Sequence, residues 1–292
     1  MSTDLELLVD TRAVVGEGPI WDSKTNVLYW LDIINGEVHI YDPAVGQDTV
    51  HEIGQMVGTI VPCKRGGVML ALKDGFARYD LETKKMELIV DPEEDKPTNR
   101  FNDGKCDPAG RFWAGTLSLK DEMNVCALYR LDSDLSVHKM LDNVSISNGI
   151  VWSLDAKIMY YIDTPTRKLD AFDYDVTSGA IANRRVAIEF AGDMGYPDGM
   201  TIDSEGNVWI GFWEGSHVLC FNPTTGKILH RIEMPVTQVT ACWFGGHNYE
   251  DLYITTAALG LDEAALVKQP KAGSLYRCQP GPQGLPAHEF SG

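Results

Sequence analysis

Cationic side chains are scarce in this sequence: 25 Lys and Arg stand against 42 Asp and Glu, a formal net charge of −17. Phosphate neutralisation needs clustered Lys and Arg, and the densest basic stretch is only Asn183-Arg184-Arg185, so no nucleic-acid partner is expected. No apolar run approaches the ~18 residues that would suggest a membrane span. The N-terminus lacks a basic segment followed by an apolar one, so it does not read as a secretory signal, and a cytoplasmic protein is expected. Six cysteines occur without a Cys-x-x-Cys pair, which favours reduced, buried thiols over a disulfide framework or a zinc ribbon. The seven histidines form no His-Glu-x-x-His, and there is no P-loop, no Gly-x-Ser-x-Gly elbow and no EF-hand loop. His217, His247 and His288 read as solvated loop residues. Helical periodicity is almost absent, with one short turn possible near Gly260 to Leu266.

What the chain has is a repeat. A polar Gly/Asp/Asn turn followed by a Val-, Ile-, Tyr- and Trp-rich run occurs at 21–32, 63–72, 107–115, 153–163, 203–211 and 245–256. The spacing, roughly forty to fifty residues, is that of propeller blades. A second motif follows each time, as in VHIYDPAVG, LDAFDYDVTSG and VLCFNPTTG, where an aromatic and an Asp or Asn lead into a tight turn. Six units of about four antiparallel strands predict an all-β, six-bladed β-propeller spanning 1–292 as one domain. A β-sandwich is the other all-β reading, but sandwiches do not repeat at so long a fixed period. A propeller must also close its ring, and the weakly alternating run Leu5 to Val9 is expected to pair into the last blade beside residues 273–278.

Glu17, Asn102, Asn148 and Asp198 each precede a repeat position (Asp22, Asp107, Ser153, Asp203) by five residues. Thr59 and a residue near Thr240 complete the ring. Equivalent positions in six blades converge on the axis, so these side chains should gather at one end of the central channel. Asn-Gly and Asp-Gly are common turn pairs, and any one of them could be structural. Turn chemistry does not require a Glu in the same register, however. Two carboxylates and a carboxamide offer oxygen donors with a charge of −2, which suits one hard divalent cation with sites left open for water or substrate. Ca²⁺ fits best, and Mg²⁺, Mn²⁺, Zn²⁺ and Fe²⁺ are compatible. Asp103 is a further carboxylate near the axis, or else simply fixes the chain before Gly104. Tyr196 and Trp213, near the predicted mouth, are expected to be core.

VVGEGPIWD (14–22), NRFNDGKCDPAGRFWAGT (99–116), ISNGIVWSLD (146–155), YYIDT (160–164), FDYD (172–175) and YPDGMTIDSEGNVW (196–209) together resemble the regucalcin/gluconolactonase family. That family includes senescence marker protein, sugar-acid lactonases and the luciferin-regenerating enzyme. The resemblance runs through the whole chain, including NRR (183–185) and FGG (244–246). It implies a six-bladed propeller, a metal held by Glu17, Asn148 and Asp198, and Asp198 as catalytic base. Arg100 and Asn102 match the family's substrate-binding Arg and Asn. The family's acidic substrate residue in the loop after the third blade's repeat strand falls on Lys120, with Asp121 and Glu122 adjacent, so Lys120 and Glu122 are carried as substrate candidates. The implied activity is metal-dependent hydrolysis of a sugar lactone. The same site could serve an organophosphate-type phosphotriesterase, or a calcium-binding regulatory propeller without turnover.

Overall fold

The computed structural model describes residues 4–292 as six four-stranded antiparallel sheets arranged as propeller blades. An N-terminal strand, β1 (Glu6–Val9), is followed by the first complete blade: β2 (Gly16–Asp22), β3 (Val27–Asp32), β4 (Glu37–Asp42) and β5 (Gln47–Glu52). The second holds β6 (Val57–Pro62), β7 (Val68–Leu72), β8 (Gly75–Tyr79) and β9 (Met86–Val90). The third holds β10 (Asn99–Cys106), β11 (Phe112–Ser118), β12 (Cys126–Leu131) and β13 (Val137–Val144). The fourth holds β14 (Ser147–Trp152), β15 (Ile158–Asp163), β16 (Lys168–Asp175) and β17 (Ala180–Glu189). The fifth holds β18 (Tyr196–Ile202), β19 (Val208–Trp213), β20 (His217–Phe221) and β21 (Ile228–Glu233). The sixth takes β22 (Val239–Gly245), β23 (Asp251–Thr256) and β24 (Leu275–Cys278) from the end of the chain and β1 from its start. Glu6 pairs with Arg277 and Leu7 with Tyr276, as the ring-closure argument expects. A short helix, α1 (Glu263–Lys268), is the only α-helix among the described residues, and none is long and apolar enough to cross a membrane.

The repeat seen in the sequence is the hairpin between the first and second strands of each blade, plus the second strand. The innermost strand therefore precedes the repeat, and the axial residues lie on it. The repeat aspartates hold these hairpins. Asp107 accepts from Trp113 Nε1 (3.0 Å) and Tyr174 Oη (2.6 Å), and Asp203 from Trp209 Nε1 (2.9 Å). Both carboxylates are fully buried, so each relies on these donors in place of water. Large aromatics fill the spaces between blades, with Trp21 stacked on Tyr253 at 5.9 Å and Trp113 edge-on to Trp152 at 5.8 Å. All six cysteines are free and buried.

Beyond β24 the chain has no regular strand but crosses the hairpin end of the propeller. Ser204 N–H donates to Gln283 O, Gly284 N–H to Tyr249 O, Phe290 N–H to Pro62 O and Ser291 N–H to Gly110 O. This strap ties blades five and six to blades two and three, with Phe290 fully buried as its anchor. His217 departs from its expected place: it lies on β20, 2% exposed against Phe212, because the polar residue falls on an inward position of that strand. Tyr196 departs in the other direction. It is 37% exposed at the rim, where the Arg167 guanidinium lies 4.0 Å over its ring, while Trp213 is half-buried.

Candidate site at the channel mouth

All six innermost strands carry a register shift near their first residues. In β10 the shift lies between Phe101 and Gly104, in β14 between Ser147 and Ile150, and in β18 between Pro197 and Met200. The extra residues are thus Asn102 and Asp103, Asn148 and Gly149, and Asp198 and Gly199. In β2 the shift follows Glu17 directly. Bulges leave residues outside the pairing pattern and re-aim their side chains, which is how blades three, four and five present polar groups to the axis, while Glu17 stays paired with Leu31 just before its bulge. The glycines here serve crowding rather than hairpin turns. A Cβ on Gly199 would lie 2.5 Å from Ala241 Cβ, and one on Gly149 would lie 2.6 Å from Met200 Cγ.

Glu17, Arg100, Asn102, Asn148 and Asp198 are all buried on innermost strands. Arg100 Nη1 donates to Phe101 O and to Asn102 Oδ1, both at 2.8 Å. Asn102 Nδ2 donates to Ser147 O (2.8 Å) and to Asn148 Oδ1 (3.2 Å). Asn148 Nδ2 donates to Thr164 Oγ1 (2.7 Å), whose hydroxyl in turn donates to Pro197 O (2.8 Å). Because the Thr164 proton is committed to Pro197, Thr164 can only accept from Asn148. That fixes the amide with its nitrogen toward Thr164 and its oxygen toward Asn102. Thr164 is a positioning residue that the sequence did not single out, and Glu93 is another. Buried Glu93 accepts from Asn99 Nδ2 (2.9 Å) and Tyr129 Oη (3.0 Å), pinning the entry to β10 just before Arg100. The two remaining blades offer hydroxyls that are already used, Thr59 bonding Gly104 O and Thr240 bonding Gly16 O.

The electrostatics are those of an anionic cage short of positive charge. Burial, then the Asp103 charge, pushes Glu17 up to about 8. Burial, then the Glu17 charge, raises Asp198 well above the usual carboxylate range. Burial lowers Arg100 to about 10, still cationic at neutral pH. Asp103 Oδ1 accepts from Gly104 N–H at 2.6 Å, while its buried Oδ2 has no partner, so fixing the chain accounts for only half of this side chain. Arg100 Nε is likewise buried without an acceptor. Among the described residues no three His, Cys, Asp or Glu side chains converge as a metal cage. The candidate set contains two such groups and an amide.

These shifts have a consequence for the metal-free protein. Between about pH 4.5 and pH 8 the native state keeps a proton on Glu17 that the unfolded chain releases, so stability falls as pH rises through that window. Urea unfolding in the presence of chelator is expected to show a loss on the order of a few kcal/mol between pH 5 and pH 8. A flat profile would show that the two carboxylates are not in conflict.

Lys120 and Glu122 lie on the exposed loop after β11, at the same end of blade three as Arg100, which pairs with Leu117. The structure does not bring them into the axial hydrogen-bond chain. Glu122 accepts from Ser118 Oγ at 3.3 Å, and the Lys120 backbone N–H donates to the same hydroxyl.

Comparison with known proteins gives one consistent answer. The pattern of the SMP-30/Gluconolactonase/LRE-like region matches residues 15–258. Regucalcin of Danio rerio is 40% identical over 294 residues, covering 100% of this chain and 99% of its own length. A Bacillus subtilis (strain 168) protein provisionally named a sugar lactone lactonase is also 40% identical, covering 99% of each chain. A crystal structure of regucalcin from Agrobacterium tumefaciens, described as a calcium-binding protein, superposes with a TM-score of 0.95 at 29% identity, covering 99% of this chain and 97% of that one. The bulged axial residues, the six blades and these full-length likenesses agree, and the chain belongs to the SMP-30/gluconolactonase/LRE-like family.

Proposed function

We propose that this protein hydrolyses sugar lactones, opening a gluconolactone-like aldonolactone to the aldonic acid with one divalent cation at the channel mouth. The observation that carries this reading is the pair of buried, mutually repelling carboxylates, Glu17 and Asp198, set beside a fixed carboxamide and a buried guanidinium. Such a pair is costly unless positive charge joins it. Glu17, Asn148 and Asp198 would hold the ion: their donors are all oxygen, their charge is −2, and three protein ligands leave positions open. Ca²⁺ is the first choice, in keeping with the calcium-binding description of the Agrobacterium relative. Mg²⁺, Mn²⁺, Zn²⁺ and Fe²⁺ share the oxygen-donor chemistry. When bound, the ion supplies Lewis-acid polarisation of the lactone carbonyl and lowers the proton affinity of the two carboxylates.

The protein's own groups do the rest. Asp198 accepts a proton as water attacks the carbonyl carbon. The ring C–O bond then breaks and the ring oxygen takes up a proton, so one water is added across the ester. Arg100, which the protein engages through Nη1, steadies ring hydroxyls and the negative charge growing on oxygen, and Asn102 holds Arg100 in place. Lys120 and Glu122, exposed at the rim, would meet the distal sugar hydroxyls.

The direct test is hydrolysis of gluconolactone and xylonolactone by metal-stripped protein, titrated with each of the five cations and followed by proton release above the spontaneous rate. Turnover that appears with a cation and is lost with chelator supports the reading. No turnover with any cation overturns it and leaves a binding role or a phosphotriester substrate. Thr164→Val should weaken cation affinity by about tenfold, the usual cost of losing a partner that orients a ligand, and Thr164→Ser should restore it. A cation titration of the valine variant that matches the parent would remove Thr164 from the site.

A further inference from the structure

At the hairpin end of the channel, away from Glu17 and Asp198, lies a second cavity of about 450 Å³. Its wall includes Ile20, Lys105, Trp152, Leu154, Ile202 and Trp243, and residues 285–288 of the C-terminal strap form part of its outer rim. The volume falls in the range of small-molecule sites. Between the two ends lies a void of about 10 Å³ lined in part by Thr59, Asp103 and Lys105, room for about one water. A ligand in the lower cavity therefore does not reach Asp198.

The chain carries 42 acidic residues, yet no Asp or Glu lines the cavity. Lys105 is its permanent cation. The Lys105 ammonium lies 5.1 Å from the centre of the Trp243 ring, and no described residue forms an ion pair or hydrogen bond with it. The indole N–H groups of Trp152 and Trp243 are buried and have no acceptor, although each tryptophan is more than nine-tenths buried. The apolar wall and one unpaired ammonium together specify an apolar body carrying one anionic acceptor group. Repulsion from the net charge of −17 is mostly screened beyond about 8 Å at physiological salt, so the local ammonium decides the sign.

We propose that this lower cavity binds a small aromatic monocarboxylate, its carboxylate on Lys105 and its ring beside Trp243, without contact to Asp198. Naphthoate and its neutral isostere naphthamide are suitable probes on the full chain, read by tryptophan fluorescence and calorimetry. Naphthoate should bind saturably at one site, with naphthamide about tenfold weaker, the difference a charge-assisted contact supplies. Lys105→Met should lower naphthoate affinity by a similar factor and leave naphthamide unchanged. Leu154→Glu, at a half-exposed hairpin position where folding is not at stake, should also weaken naphthoate by placing a carboxylate at the cavity wall. Asp198→Asn should leave binding intact. No saturable binding, equal affinity for the amide, or loss of binding in Asp198→Asn would each overturn the proposal.

Discussion

Asp198→Asn is expected to lower lactone turnover by at least about a thousandfold, since it removes a proton acceptor and a cation ligand together. The same change should make the metal-free protein more stable. Asp198 is buried beside Glu17, and each carboxylate raises the proton affinity of the other. An amide keeps the shape without the repulsion, so a thermal melt in chelator should shift upward at pH 8 and hardly at all at pH 5. Opposite movements of activity and stability identify a strained functional site, the usual trade-off where charge is held for chemistry. Turnover equal to the parent would refute the catalytic role. Arg100→Ala should differ in kind, raising KM more than it lowers kcat, because its guanidinium acts chiefly on the bound sugar.

Removal of the first ten residues should have the largest structural effect. β1 is the outer strand of the sixth blade, and its loss exposes the edge of β24. Partly buried Leu8 and Val9 pack on the main core and Leu5 on the core of the last blades. Glu6 is bonded to Arg277, and Asp10 to Lys271. Burial of three aliphatic side chains and the strand pairing together suggest a loss of about 3–5 kcal/mol, or a fall in Tm on the order of 10 °C. A melt unchanged by the truncation would show that the ring is held shut elsewhere.

The architecture was legible because blade hairpins are local. Asp107 with Trp113 and Asp203 with Trp209 lie six residues apart, and Asp22 with Tyr29 seven, each within one hairpin. The axial residues were legible for the same reason, as they keep a fixed offset from those hairpins. What could not be read was anything set by contacts between blades. Thr164 matters only because it links Asn148 of blade four to Pro197 of blade five, a relation with no sequence signature. The strap, rich in Pro and Gly and without strand periodicity, is not singled out by the sequence, yet it buries Phe290 completely. His217 and Tyr196 were misplaced because burial on a strand depends on which face meets the next blade, and periodicity alone does not say. The glycines beside Asn148 and Asp198 could be read either as turn formers or as sites of close approach, and the crowding around them favours the second.

The channel also bears on kinetics. Between its two ends it narrows to a void of about 10 Å³, too small to pass a sugar toward the strap. On the lactonase reading, the open-chain acid therefore leaves by the route its precursor used. Entry and exit are then mutually exclusive events at one opening, so the hydrolysis product should act as a competitive inhibitor, and turnover at high conversion should be limited by how quickly that opening clears.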